Sequence, residues 1–292
     1  MEPKVLVLFS GGLDSRLAIK LLQDKNVELE ALFFKLPFGG GCCNDFECVF
    51  NYSQIQGVKL HVIDLTKQPL LEEYLNIVLH PKYGYGSSLN PCKDCKIFMF
   101  KKAKELMEKI GFNLLATGEV LDQRPNSQKK KDFDIIEKET DMKDLIIRPL
   151  CEIGIHGRQR KKQIELAKRF NIKYPGSGGG CTLCEKGYSL KLKDLLKHKP
   201  LNKITHEDIL TLKGGRHFRN NGKIILGKNE SQNNELILLN KVLKYNIIIP
   251  ENPGPTILYE KSEDKSLAEE LQKAYSSKDQ KNTKLFEKYR IN

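Results

Sequence analysis

The chain has 292 residues, enough for about two domains at the usual ~100–200 residues each. Its 49 Lys and Arg against 37 Asp and Glu give +12 at neutral pH, which favours a polyanionic partner such as RNA or DNA. No apolar run nears the ~18 residues of a membrane span, and Met1-Glu2-Pro3-Lys4 leads directly into an apolar strand pattern, so a cytoplasmic protein without leader or membrane anchor is expected.

Residues 4–9, Lys-Val-Leu-Val-Leu-Phe, form a continuous apolar run, the pattern of a strand buried on both faces. Gly11 and Gly12 break it, and Leu13, Leu17, Leu21 and Leu22 then recur at helical spacing. Strands are expected at 27–34, 58–64, 112–117 and 145–150, and helices at 67–79, 93–110 and 158–170. Strands alternating with helices predict an α/β fold, a parallel sheet with helices on both faces. The Gly-rich stretch 174–187 marks a boundary, which divides the chain into domains 1–186 and 187–292. Beyond it, short strands near 214–219, 222–227, 246–250 and 255–259 and a helix at 229–243 predict a smaller α+β domain. This second part holds 20 basic and 13 acidic residues, the more basic per residue of the two. The tail from Ser262 reads as a polar, solvated helix.

The most specific signal is Ser10-Gly11-Gly12-Leu13-Asp14-Ser15, between a buried strand and a helix. Two glycines let backbone N–H groups approach phosphate oxygens, and the helix start adds positive potential. Ser10 and Ser15 add hydroxyl donors; Asp14 can cap the helix or help hold Mg²⁺. The stretch resembles the Ser-Gly-Gly-x-Asp-Ser signature of the PP-loop ATP pyrophosphatases, an adenine nucleotide alpha hydrolase-like fold. That family splits ATP between its α and β phosphates and adenylates a carbonyl oxygen. Thr117-Gly118-Glu119-Val120-Leu121-Asp122-Gln123 through Gln128 resembles the Thr-Gly-Glu-x-Leu-Gly-Gln stretch of the tRNA 4-thiouridine synthases (the ThiI family), and Arg148-Pro149-Leu150 matches its following Arg-Pro-Leu. Asp122 departs from the family's glycine. The resemblance implies ATP and Mg²⁺ on Ser10, Gly11, Gly12, Asp14, Ser15, Gly118, Glu119 and Gln123, with Asp14 and Ser15 catalytic.

The chain has eight cysteines, expected to be reduced and free for metal or sulfur chemistry. Cys92-Lys93-Asp94-Cys95 opens the long helix after Asn90-Pro91, and Cys181-Thr182-Leu183-Cys184 lies in the Gly-rich break. Each Cys-x-x-Cys pair can chelate from a single turn, and thiolates at a helix start have a lowered pKa. Three readings stay open: a closed zinc site, a 4Fe–4S cluster, or a metal-free persulfide relay. Asn-Pro-Cys-x-x-Cys resembles the tRNA 2-thiouridylases (MnmA-like) and related thiolases, which implies the cluster first. Its ligands would be Cys92, Cys95 and Cys181, with Cys184 spare or fourth and Cys92 and Cys181 serving sulfur transfer. Cys42, Cys43 and Cys48 either join that site or are incidental; Cys151 reads as core.

Gly214-Gly215-Arg216-His217-Phe218-Arg219 and Lys228-Asn229-Glu230 resemble the NFACT-R domain, a proposed RNA binder, with Lys228 where arginine is usual. Arg216, His217 and Arg219 would contact RNA, while Phe218 alone reads better as core. Arg124, Lys129 and Lys130 either hold the tRNA backbone or form a solvated loop; Arg158, Arg160, Lys161 and Lys162 have the same two readings. The combined expectation is an ATP-dependent tRNA sulfurtransferase making 2- or 4-thiouridine, fed by a cysteine desulfurase or free sulfide. A homodimer, a PP-loop enzyme with a non-RNA substrate, and a non-catalytic zinc-containing RNA binder stay open.

Overall fold

The first apolar run forms β1 (Lys4–Leu8), with Val5, Leu6 and Val7 buried. The structure, a computed structural model, describes residues 3–39, 46–176, 180–276 and 280–291. It divides into two units, Met1–Cys184 and Glu185–Asn292.

In the first unit, β1 is followed by α1 (Leu13–Gln23), β2 (Glu28–Lys35), α2 (Phe46–Ile55), β3 (Leu60–Asp64), α3 (Leu70–Leu79) and α4 (Cys92–Ile110). Then come β4 (Leu114–Thr117), α5 (Lys130–Thr140), β5 (Ile146–Ile147), α6 (Pro149–Glu152) and α7 (Lys161–Arg169). The five strands are parallel in the order β3-β2-β1-β4-β5. Val5 and Val7 pack with Ala18 and Ile19 of α1 and Val49 and Tyr52 of α2. Leu6 points to the opposite face by the two-residue period of a strand and is fully buried too, where α4 crosses β1 and β4. The sequence order reverses between β1 and β4, so a crevice opens at their carboxyl ends. Helix α4 stops at Gly111, whose φ of +74° supplies the left-handed turn that closes a helix.

The strand expected over 145–150 is corrected to two residues. Pro149 has no N–H for the ladder, and it opens α6 instead, at a position where that N–H is not needed. Helices α2 and α5 were not expected, and Lys130 is the first residue of α5 rather than part of a loop.

The second unit holds α8 (Lys186–His198), α9 (His206–Thr211), β6 (Arg216–Arg219), β7 (Lys223–Leu226), α10 (Glu230–Leu243), β8 (Asn246–Ile248), β9 (Ile257–Tyr259) and α11 (Lys265–Ser276). Its strands are antiparallel in the order β6-β7-β9-β8. Alternation along β7 gives each face its own helix. Ile224 and Leu226 pack with Ala268, Leu271 and Ala274 of α11 and with Phe286, whereas Ile225 packs with Leu236 of α10. The reading of the tail as a solvated helix is therefore corrected: α11 is polar on one side only, and its other side closes the core. Leu271→Ala should cost about 2–5 kcal/mol, seen as a lower urea midpoint, while Leu238→Ala, at a residue 60% exposed on α10, should leave that midpoint nearly unchanged.

Candidate nucleotide and thiol site

The segment between β1 and α1 is shaped to receive an anion. Gly11 has φ +80°, and Gly12 starts α1 with no side chain capping the helix. The N–H groups of the first turn thus lack a side-chain acceptor. Ser15 Oγ donates to Gly12 O at 2.9 Å and lies 3.4 Å from Ser10 Oγ. Arg16, nearly buried, is used structurally: Nε donates to Gly11 O, another N–H to Lys173 O, a third to Cys48 Sγ, and the guanidinium lies over the Tyr52 ring. Asp14 is different. Its Oδ2 accepts from Gln123 at 3.1 Å, but Oδ1 is buried with no hydrogen-bond partner. Burial pushes the Asp14 carboxyl above its ordinary range, against the Gln123 amide and the charges of Arg160 and Arg124.

The loop after β4 lies directly against this turn. A methyl group on Gly118 would sit 2.6 Å from Asp14 C and Ser15 N, so only glycine permits the approach. Asp122 takes a left-handed φ of +61°, the conformation glycine adopts most readily and one that Asp tolerates better than most residues. Its N–H donates to Gln128 O at 2.8 Å, closing the loop. Gln123 serves by holding Asp14. Glu119, expected at the nucleotide, is reassigned: it is only 7% exposed, with Lys96 Nζ on one carboxylate oxygen and Arg148 Nε 3.2 Å from the other. Burial acts upward on its pKa, yet Lys96 and Arg148 outweigh burial and hold the carboxyl below its ordinary value. Arg148 also bonds Glu137 at 2.6 Å and stacks on Phe133, so Glu119 joins α4, α5 and the end of β5.

The two Cys-x-x-Cys pairs come together. Phe38 O accepts from Thr182 N, Thr182 Oγ1 at 3.0 Å and Cys181 Sγ, and Leu183 O accepts from Leu89 N, which folds the 181–184 turn onto the start of α4. Asn90 joins the pairs, accepting from Cys92 Sγ at 3.0 Å and donating to Cys184 Sγ at 2.8 Å. The buried Tyr74 hydroxyl lies 2.9 Å from Cys95 Sγ. Tyr74 sits on α3, and nothing in its sequence neighbourhood points to sulfur; Asn90 carried a signal as part of Asn-Pro-Cys. Burial, then the neighbouring thiols, pushes Cys181 up to about 12. Cys92 is raised by burial and Cys184, with Lys96 and Arg124 pulling it back. Among the described residues, no three His, Cys, Asp or Glu side chains are arranged around a common point as metal ligands. Cys42 and Cys43 lie outside the described residues; Cys48 contacts Arg16; Cys151 is half-buried, its Sγ 3.4 Å from Glu119 O.

In the second unit, two expected RNA contacts are corrected. His217 is 1% exposed with Nε2 donating to Gly214 O, and burial, then Lys223 and Lys191, hold its pKa far below the usual value, so it is a neutral core residue. Arg219 grips Asp194 with two N–H groups at 3.1 and 2.5 Å. Phe218 is core, as expected. Arg216 lies over the Tyr275 ring and lines an open cavity of about 450 Å³ shared with Lys186, Lys213, Lys228 and Arg290. Arg124 and Lys129 are exposed in the first unit, and Lys130 pairs with Asp134.

Residues 3–145 match the family model described as tRNA methyl transferase HUP domain. The chain is similar to the tRNA-specific 2-thiouridylase MnmA of Sulfurimonas denitrificans, 33% identical over 120 residues, covering 40% of this chain and 35% of that protein. MnmA of Campylobacter hominis is 30% identical, over 39% of this chain and 31% of that protein. The chain thus matches about a third of the length of these relatives. Among solved structures it is similar to U34-tRNA thiolase NcsA from Methanococcus maripaludis with its 4Fe–4S cluster: TM-score 0.42, 17% identity, 73% of this chain and 72% of that one. A predicted subunit of tRNA methyltransferase from Methanocaldococcus jannaschii gives a TM-score of 0.44 at 18% identity, over 66% of this chain and 88% of that one. Among the described residues no helix is long and apolar enough to cross a membrane.

Removing the Glu119 charge takes its carboxylate from two largely shielded cations, of which Arg148 keeps Glu137 and Lys96 keeps Ser127 O, so the change should cost about 3 kcal/mol, the low end for breaking a buried ion pair. Glu119→Gln should lower the chemical-denaturation midpoint of the first unit accordingly. Because the folded pKa lies below the ordinary 4.5, the stabilisation is complete above that pH and is lost as pH falls through the folded value. The variant should therefore flatten the acid limb of the stability profile.

Proposed function

We propose that the chain is an ATP-dependent tRNA thiouridine synthase. One observation carries the reading: a single loop, 120–128, ties a phosphate-ready turn with an unpartnered carboxylate oxygen to a cluster of four thiols. Gln123 bonds Asp14 at one end of that loop, and Lys96, on the helix that begins with Cys92, bonds Ser127 O at the other. The similarity of the first half of the chain to 2-thiouridylases supports the choice of substrate.

In this reading the first-turn N–H groups of α1 and the hydroxyls of Ser10 and Ser15 hold the phosphates. A uridine carbonyl oxygen attacks the α-phosphorus and pyrophosphate leaves. A nucleophilic sulfur then bonds to that carbon, C2 or C4, while its C–O bond breaks and the oxygen departs with AMP. Adenylation is needed because a free carbonyl oxygen is too poor a leaving group for sulfur to displace. The buried, unpartnered Asp14 Oδ1 fits Mg²⁺, which would neutralise phosphate charge there. The chemistry of the donors, all thiols, suits a thiophilic metal or iron–sulfur group, which Cys92, Cys95 and Cys181 would hold with Cys184 beside them once drawn around a common point, and which would supply a place for sulfide. Arg216 and the lysines of the second unit's cavity would hold the RNA backbone.

Asp14→Ala should reduce tRNA-dependent pyrophosphate release to background while gel-shift affinity for tRNA is kept. Cys92→Ala should release pyrophosphate at the normal rate but yield no thiolated tRNA on mercury-retarding gels. Pyrophosphate release by the wild type that does not depend on tRNA would replace RNA with a small substrate.

A further inference from the structure

Most cations near the nucleotide turn are committed. Arg16 bonds two carbonyls and a thiol, Lys96 bonds Glu119 and Ser127 O, and Arg148 bonds Glu119 and Glu137. Two guanidinium groups differ. Arg124 stands on the 120–128 loop, where its carbonyl accepts from Ser127 N and Gln128 N, but among the described residues its exposed side chain forms no hydrogen bond or ion pair. Arg160, at the start of α7, has Nε buried and without a partner. Arg124 directly follows Gln123, which bonds Asp14 at 3.1 Å, and Gly157, three residues before Arg160, donates its N–H to Leu121 O of the same loop at 2.7 Å. The charges of both arginines act on Asp14, and that of Arg124 also acts on Cys92.

A carboxylate oxygen and a guanidinium nitrogen are thus both removed from water in one place without bonding each other. Each pays a desolvation cost that a direct ion pair would offset. An arrangement that forgoes that pair suits a third component between them, one offering oxygens to the arginine and a cation to the aspartate. A metal-bound polyphosphate has that chemistry.

We propose that Arg124 and Arg160 form a two-sided clamp on the triphosphate, Arg160 on the pyrophosphate that leaves and Arg124 on the α-phosphate that stays with the adenylate. The division follows from their positions. The α-phosphate must lie beside the carbon that sulfur attacks, and Arg124 stands on the stretch that runs from Gln123, bonded to Asp14, to Ser127, whose carbonyl is bonded by Lys96 of the Cys92 helix. Arg160 instead opens α7, on the side of the loop where Gly157 N–H meets Leu121 O. Arg124, expected from sequence to grip tRNA, thereby moves into the nucleotide site. The clamp rests on the ATP reading of the preceding subsection.

The test is calorimetric titration of the full chain with α,β-methylene ATP and with AMP, each in Mg²⁺. Arg160→Gln should weaken the analogue at least tenfold and AMP less than twofold; Arg124→Gln should weaken both at least fivefold. Arg160→Lys, which keeps the charge without the fork, should recover part of the analogue affinity and guards against a folding defect in the glutamine variant. If the wild type binds the analogue and both glutamine variants bind it equally well, the clamp is wrong and the ATP reading stands. Equal losses of analogue and AMP in Arg160→Gln would overturn the division of labour. A folded wild type that binds neither ligand would overturn the ATP reading and the clamp with it.

Discussion

The first unit depends on how closely two loops can approach where its sheet reverses order. β1 and β4 are neighbouring parallel strands, so the turns that leave them emerge side by side. They meet only because residue 118 has no side chain: a Cβ there would overlap the backbone of Asp14 and Ser15. That contact puts Gln123 on Asp14 and directs the rest of the loop towards α4. A second glycine contact extends the same path, because Gly86 leaves space for Asn126 on the segment leading into Asn90 and Cys92. Close backbone packing, not any one strong bond, joins the two chemical centres.

Asp14 and Glu119 show how environment separates two carboxylates of one site. Both are shielded from water, and burial alone would raise both. Glu119 has two cations in contact and becomes a fixed anion whose work is mechanical, since it holds the thiol-bearing helix against the loop. Asp14 has only an amide in contact and more distant charge, so one oxygen is left for a ligand. A motif match alone ranks the two equally, whereas partner geometry makes one structural and the other available.

What the sequence made legible follows the range of the forces involved. The buried β1, the glycine turn and the helical spacing of Leu13, Leu17 and Leu22 are local patterns, and the structure has each of them. The left-handed position at Asp122 was also foreshadowed, as the one place where glycine was the usual residue. Long-range pairings were not legible. Arg219 looked like a phosphate donor until Asp194, 25 residues away, met its guanidinium. His217 sits in a basic run, yet its strand turns the ring into the core, where an imidazolium is too costly. The tail was misjudged because its charge count hid the spacing of Ala268, Leu271 and Ala274.

The thiol cluster shows the same separation of roles. Sulfur chemistry needs thiolates, and the site as folded opposes them: burial raises Cys92 and Cys181, and each thiolate would further raise its neighbours. The opposition is uneven. Cys92 has Lys96 and Arg124 nearby, whereas Cys181 has only a backbone N–H pulling it down and rises to about 12. Burial is thus countered by neighbouring cations at Cys92 and not at Cys181. Among the described residues Lys96 is bound to Glu119, whereas Arg124 stands on the loop that also carries Gln123 to Asp14, so one short segment sets the surroundings of both the carboxylate and the thiols.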